Sequence, residues 1–73
     1  MSAMKKVNER LDTLKHERQI FLDRIDSIER GEFQPAKVLG AQECETMVRS
    51  IIAGYNVVIE EVEQILKWME EDL

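Results

Sequence analysis

Apolar side chains recur every three or four residues from the start of the chain: Met4, Val7, Leu11, Leu14, Phe21, Ile25 and Ile28. That rhythm belongs to a helix with one dry seam and predicts a helix over about residues 3–30. It misses once. Between Leu14 and Phe21, where the pattern asks for an apolar residue, stands Arg18. Ile20 and Leu22 widen the stripe near its middle. Arg30 and Gly31 close it, a basic residue in the last turn and a glycine suited to the left-handed conformation that ends helices.

A second ladder runs through Cys44, Val48, Ile51, Tyr55, Val58, Val62, Ile65 and Met69, predicting a helix over about residues 41–72. Beside it lie Ile52, Ile59, Leu66 and Leu73, each seven positions apart. The second helix is therefore apolar over a wider arc than one partner helix covers. A two-helix hairpin leaves the extra stripe wet, and excess apolar surface marks an interface. Ile52, Ile59, Leu66 and Leu73, with Trp68 as an anchor on the flank, are the expected oligomer interface. The expected fold is all-α: an antiparallel helical hairpin, oligomerising into a four-helix bundle or larger helical assembly. Between the ladders, GEFQPAKVLGAQ holds the only proline and two of the three glycines. Pro35 keeps Gln34 out of the helical region and can open a short helical piece that Gly40 stops, so residues 31–40 form the turn. Phe33, Val38 and Leu39 are expected to fold back as a lid on the hairpin end.

The expected register sets Ile28 against Cys44, Phe21 against Ile51, Leu14 against Val58 and Val7 against Ile65. Arg18 then faces Gly54 and Tyr55. A glycine inside a helix costs about 1 kcal/mol relative to alanine, and room for a long side chain would explain it. Two roles for Arg18 stay open. It can reach solvent or pair with Glu17 or Asp23, forming a polar layer that fixes register or oligomer state. Alternatively, Arg18 and Tyr55 line a notch for an anionic or aromatic ligand, which the bidentate guanidinium fork suits.

Size and charge narrow the classes. With 73 residues the chain forms one domain whose core is marginal without a disulfide, a metal or a partner. Its one cysteine, Cys44, excludes an internal disulfide and fits a reducing cytoplasm. MSAMKKVNER has no apolar run behind its lysines, so no secretory leader is expected. No stretch approaches the roughly 18 apolar residues of a membrane span. A net charge of −5 disfavours nucleic acid and anionic membranes as partners. Residues 38–73 hold two Lys/Arg against eight Asp/Glu; this acidity reads as a solvated helix face beside Lys5 and Lys6 better than as a nucleic-acid mimic.

Catalytic patterns are missing from the sequence. His16, the single histidine, lies off the ladder, and with Asp12 it could hold a metal only weakly. Cys44 reads as a small core residue with no base nearby. Glu60, Glu61 and Glu63 read mostly as a solvated face. There is no glycine-rich phosphate loop, no Ser/His/Asp set and no paired-cysteine spacing. No enzymatic activity, cofactor or metal is expected.

The charged first helix ERLDTLKHERQIFLDRIDSIE, the loop RGEFQP and the spaced Gln42, Met47 and Tyr55 of GAQECETMVRSIIAGYNVVIE together resemble short helical-hairpin proteins of tailed phages, crAss-like phages among them. The chain departs from them in ending its second helix WMEEDL, without a basic residue. The resemblance implies the hairpin and carries over no functional residue. In architecture the chain is also similar to phage hairpin oligomers that sequester cyclic-nucleotide immune signals, the anti-CBASS and anti-Thoeris sponges, whose pockets lie between protomers. Two function classes follow. One is a phage-encoded inhibitor or adaptor acting on a host defence component through helical interfaces. The other is an oligomeric sponge whose pocket holds a nucleotide signal through Arg18, Arg49, Lys37 or Tyr55, with Gly54 opening the notch beside Arg18. A purely structural oligomer is the third option.

Overall fold

A computed structural model of the chain describes residues 2–32 and 40–72. They form two helices, α1 (Ala3–Glu29) and α2 (Ala41–Glu71), with no strand among the described residues. Both ends of α1 are chemically defined. The Ser2 hydroxyl accepts from the Lys5 amide at 3.2 Å, satisfying one of the free donors of the first turn; such a cap is worth about 1 kcal/mol. At the other end Gly31 takes φ +73°. Its amide donates to the Ile28 carbonyl, and the Glu32 amide donates to the Ser27 carbonyl. These two bonds complete a Schellman motif, which needs a residue free to enter the left-handed region. The expected lid of Phe33, Val38 and Leu39, the helical piece after Pro35, Lys37 and Leu73 all lie outside the described residues.

The helices pack antiparallel. Leu11 and Leu14 of α1 bury against Ile59 and Leu66 of α2, with Val7, Tyr55 and Val62 packed around them. Ile25 is buried toward the other end. Along α2 the buried and half-buried positions are Val48, Ile52, Tyr55, Ile59, Val62, Leu66 and Met69, spaced alternately four and three, with Cys44 and Glu45 also half-buried in the first turns.

This seam corrects the sequence reading. Ile59 and Leu66, expected at an oligomer interface, are 3% and 7% exposed inside the hairpin, and Ile52 is half-buried beside them. Ile51, Val58 and Ile65, expected on the seam against Phe21, Leu14 and Val7, lie at its edge and are at least 40% exposed, although Ile51 still lines a cleft with Phe21 and Val58 a groove with Leu14. Val48, Tyr55, Val62 and Met69 stay on the seam while Ile52, Ile59 and Leu66 replace Ile51, Val58 and Ile65, so the helix is turned by about 50° from the expected orientation.

Small energies decide the rotation. The two candidate stripes, Ile52/Ile59/Leu66 and Ile51/Val58/Ile65, differ by a single methylene, about 0.8 kcal/mol if fully buried. Facing the first stripe inward also brings Arg49, Asn56 and Glu63 within reach of α1. Arg49 Nη2 lies 2.7 Å from Glu29 Oε1, Arg18 Nη1 donates to Asn56 Oδ1 at 2.9 Å, and Lys15 Nζ lies 3.6 Å from Glu63 Oε2. Each such exposed pair contributes well under about 1 kcal/mol. All three favour the same rotation as the methylene, which is enough when the apolar alternatives nearly tie.

Candidate functional site: the open flank of the hairpin

The cross-helix pairs just described close one side of the seam. The other side stays open. There α2 presents Met47, Ile51, Gly54, Val58, Glu61, Ile65 and Trp68, again spaced alternately four and three, and all are exposed. Five of the seven are large apolar residues, with Trp68 57% exposed. Gly54 and Glu61 interrupt the stripe, seven positions apart. A line of exposed large side chains along two-thirds of a helix is the kind of patch that marks an interaction surface.

α1 supplies the facing wall. Arg10 and Leu14 join Ile51, Gly54, Tyr55 and Val58 around a shallow groove. Toward the turn, Phe21, Arg24 and Ile28 line an apolar cleft with Met47, Val48 and Ile51. The Arg24 guanidinium sits 5.2 Å above the Phe21 ring, a cation–π contact that holds the charge at the rim and the ring toward the seam. The Phe21 and Tyr55 rings pack with centroids 5.7 Å apart.

Tyr55 makes a polar link between the helices on this flank: its hydroxyl donates to Glu17 Oε2 at 2.9 Å. That hydrogen bond, then partial desolvation and the charge of Glu17, hold the phenol above its usual pKa of 10.0, with Arg10 opposing. Folding thus favours the protonated phenol. The stability it adds is complete below the unfolded value and is lost as pH rises through the higher folded value. Tyr55 is the only tyrosine, so an ultraviolet titration of tyrosinate follows it alone. The midpoint should lie above that of the urea-unfolded chain and fall toward it in Glu17→Gln. An unchanged midpoint in that variant would contradict the bond.

The residues expected to form a ligand notch do not converge. Arg18 reaches Asn56 on the closed flank, while Gly54 opens onto the other, with no atom within 4 Å of where its Cβ would stand. Positions 54 and 56 are about 200° apart around a helix, so Gly54 makes no room for Arg18. Nε of Arg18 is shielded from solvent without a hydrogen-bond partner among the described residues. Tyr55 engages Glu17, not Arg18. Arg49 is occupied by Glu45 and Glu29. Its hydrogen bond to Glu45 is the main reason the guanidinium is held still more firmly charged, against a smaller desolvation. It sits about 10 Å along α2 from Asn56, the Arg18 contact.

Trp68 lies where an interface anchor was expected, on the exposed stripe. Met47, Arg10 and Glu61 were missed as site residues, although the seven-residue repeat linking Met47, Gly54, Glu61 and Trp68 is written in the chain. Among the described residues no group of His, Cys, Asp and Glu is arranged to hold a metal ion. No described helix is long and apolar enough to cross a membrane. No family model matches this chain, and neither does any curated protein or solved structure.

Proposed function

We propose that this chain is a non-enzymatic protein-binding module, an inhibitor or adaptor that acts by offering the open flank of its hairpin to another helix. One observation carries the reading: Met47, Ile51, Val58, Ile65 and Trp68 stand exposed in one line on α2, beside a wall formed by Arg10, Leu14, Phe21 and Arg24. The line has the a/d spacing that an amphipathic helix fills. A phage setting comes from the resemblance of the charged first helix and the RGEFQP loop to tailed-phage hairpins, and a host defence target from the architectural similarity to phage sponge hairpins. The nucleotide-sponge alternative has less support, because Arg18 and Arg49 are spent on intramolecular partners on the flank away from Gly54.

A photo-crosslinking amino acid at position 58 tests the reading, with the same group at Ala53, an exposed position off the stripe, as control. On irradiation in cells making the protein, position 58 should give adducts with a polypeptide and position 53 should not. Equal yields from both positions, or none from 58, would overturn it.

A further inference from the structure

Gly54 and Glu61 are the two positions where the exposed stripe of α2 lacks an apolar side chain, and they are each other's complement. Consider two α2 helices laid antiparallel along their stripes, with Val58 beside the two-fold axis. Ile51 then meets Ile65 of the second copy, and Met47 meets Trp68. In the same register Glu61 of each copy falls over Gly54 of the other. Gly54 has open space where a Cβ would stand, so it can receive a long side chain. Arg10 lines that groove and would meet the incoming carboxylate. Neither Arg10 nor Glu61 forms an ion pair with another described residue. Glu17, the nearby carboxylate on this flank, is already engaged by the Tyr55 hydroxyl.

We infer that the open flank is a self-complementary interface: its occupant is a second copy of this chain, docked antiparallel through α2, with Glu61 seated over the partner's Gly54 beside Arg10. This rests on the reading of the open flank as a helix-binding face and names what binds there. Three independent features support a second copy. The stripe is nearly symmetric about Val58, with the gap at Gly54 four residues before it and the filler Glu61 three after, close to what an isologous contact requires. The charges match across the axis, Arg10 against Glu61. The hairpin alone buries only five apolar side chains among the described residues, none below 2% exposure. Chains of this size usually need more core than that, and the four-helix bundle formed by two hairpins would supply it.

Charge reversal tests the register. The wild-type chain should sediment as a dimer of twice 8.6 kDa at about 100 μM. Arg10→Glu and Glu61→Arg should each weaken dimerisation by about tenfold or more, since each sets like charges together twice per dimer. Mixing the two variants should restore it. In the mixed dimer the two substituted positions face each other on one side of the axis, again a carboxylate against a guanidinium. The native Arg10–Glu61 pair forms on the other side. An intramolecular Arg10–Glu61 attraction could not be rescued by mixing. Native mass spectrometry separates the species, and heterodimers should dominate the mixture.

Gly54→Leu gives a second arm. Nothing in the hairpin opposes the new side chain, so helicity should be retained while dimerisation weakens at least about tenfold by loss of the notch. A monomeric wild type at this concentration, a mixture that dimerises no better than its parts, or a Gly54→Leu dimer as tight as wild type would each overturn the inference. A monomer that still crosslinks another polypeptide from position 58 would remove the second copy and leave the helix-binding face standing. Absence of any position-58 adduct would remove the face itself.

Discussion

Ile59→Ala should lower the stability of the hairpin by about 2–4 kcal/mol, whereas Val58→Ala, one residue away, should change it by no more than about 0.5 kcal/mol. Ile59 is 3% exposed and sits in the central cluster with Leu11, Leu14 and Leu66. Truncation there removes three methyl or methylene groups from contact and leaves a void that the rigid α1 ridge cannot fill. Val58 is 44% exposed, so its methyls lose little on truncation. Small domains hold only about 5 kcal/mol in total, so the Ile59 variant should be partly unfolded at ordinary temperatures. Urea melts followed by helical circular dichroism check this, run dilute enough that self-association does not contribute. A Val58 variant as unstable as the Ile59 variant would mean that α2 is rotated as the periodicity alone first indicated.

Arg18→Leu should stabilise the hairpin by about 1 kcal/mol, raising the melting midpoint by about 4–8 °C. The guanidinium gains one hydrogen bond, to Asn56, while its Nε is withdrawn from water with no partner among the described residues. Leucine would complete the ladder between Leu14 and Phe21 and remove that desolvation. Asn56 is exposed and would return to solvent at little cost. Arg18→Ala should do worse than leucine, because it also discards the packing of the aliphatic stem. Scanning calorimetry of the three proteins decides the order. A clear loss of stability in the leucine variant would show that the Arg18–Asn56 bond contributes more than the buried apolar area gained.

The same variant tests whether Arg18 helps to set the rotation of α2. The Arg18 bond to Asn56 falls in line with Glu29–Arg49 and Lys15–Glu63, and the three pairs together distinguish the two nearly equal rotations of α2. Specificity of this kind can be retained at some expense in stability. The predicted gain in Arg18→Leu therefore has a corollary: the variant should hold its rotation less strictly. That would appear as broadened Tyr55 and Phe21 ring resonances, since their contact at 5.7 Å depends on it.

Helix extent was legible in the sequence because its signals are local. The expected spans of about 3–30, closed by Arg30-Gly31, and 41–72, opened after Gly40, each end within a residue of Ala3–Glu29 and Ala41–Glu71. The orientation of α2 was not legible from periodicity, because its apolar arc spans both Ile51/Val58/Ile65 and Ile52/Ile59/Leu66. Apolar spacing gives the width of an arc and not which part faces inward. Further information lay in the polar flank: the observed rotation pairs Arg49, Asn56 and Glu63 with Glu29, Arg18 and Lys15 of α1. The Arg18–Gly54 notch failed for a related reason. Opposing residue numbers identify a layer along the hairpin, but Gly54 and Asn56 lie in that layer on opposite sides of α2. Gly54 does lie inside α2. Its Cβ position is open, with no atom of the hairpin within 4 Å, so it does not serve to admit Arg18.

The packing of α2 is most directly tested by isotope-filtered nuclear Overhauser spectroscopy on a sample mixing labelled and unlabelled copies. The account predicts Ile59–Leu14 and Leu66–Leu11 contacts within one copy, and Ile51–Ile65 and Val58–Val58 contacts between copies. Ile59 or Leu66 contacts appearing between copies, with Val58–Val58 and Ile51–Ile65 contacts between copies missing, would contradict it.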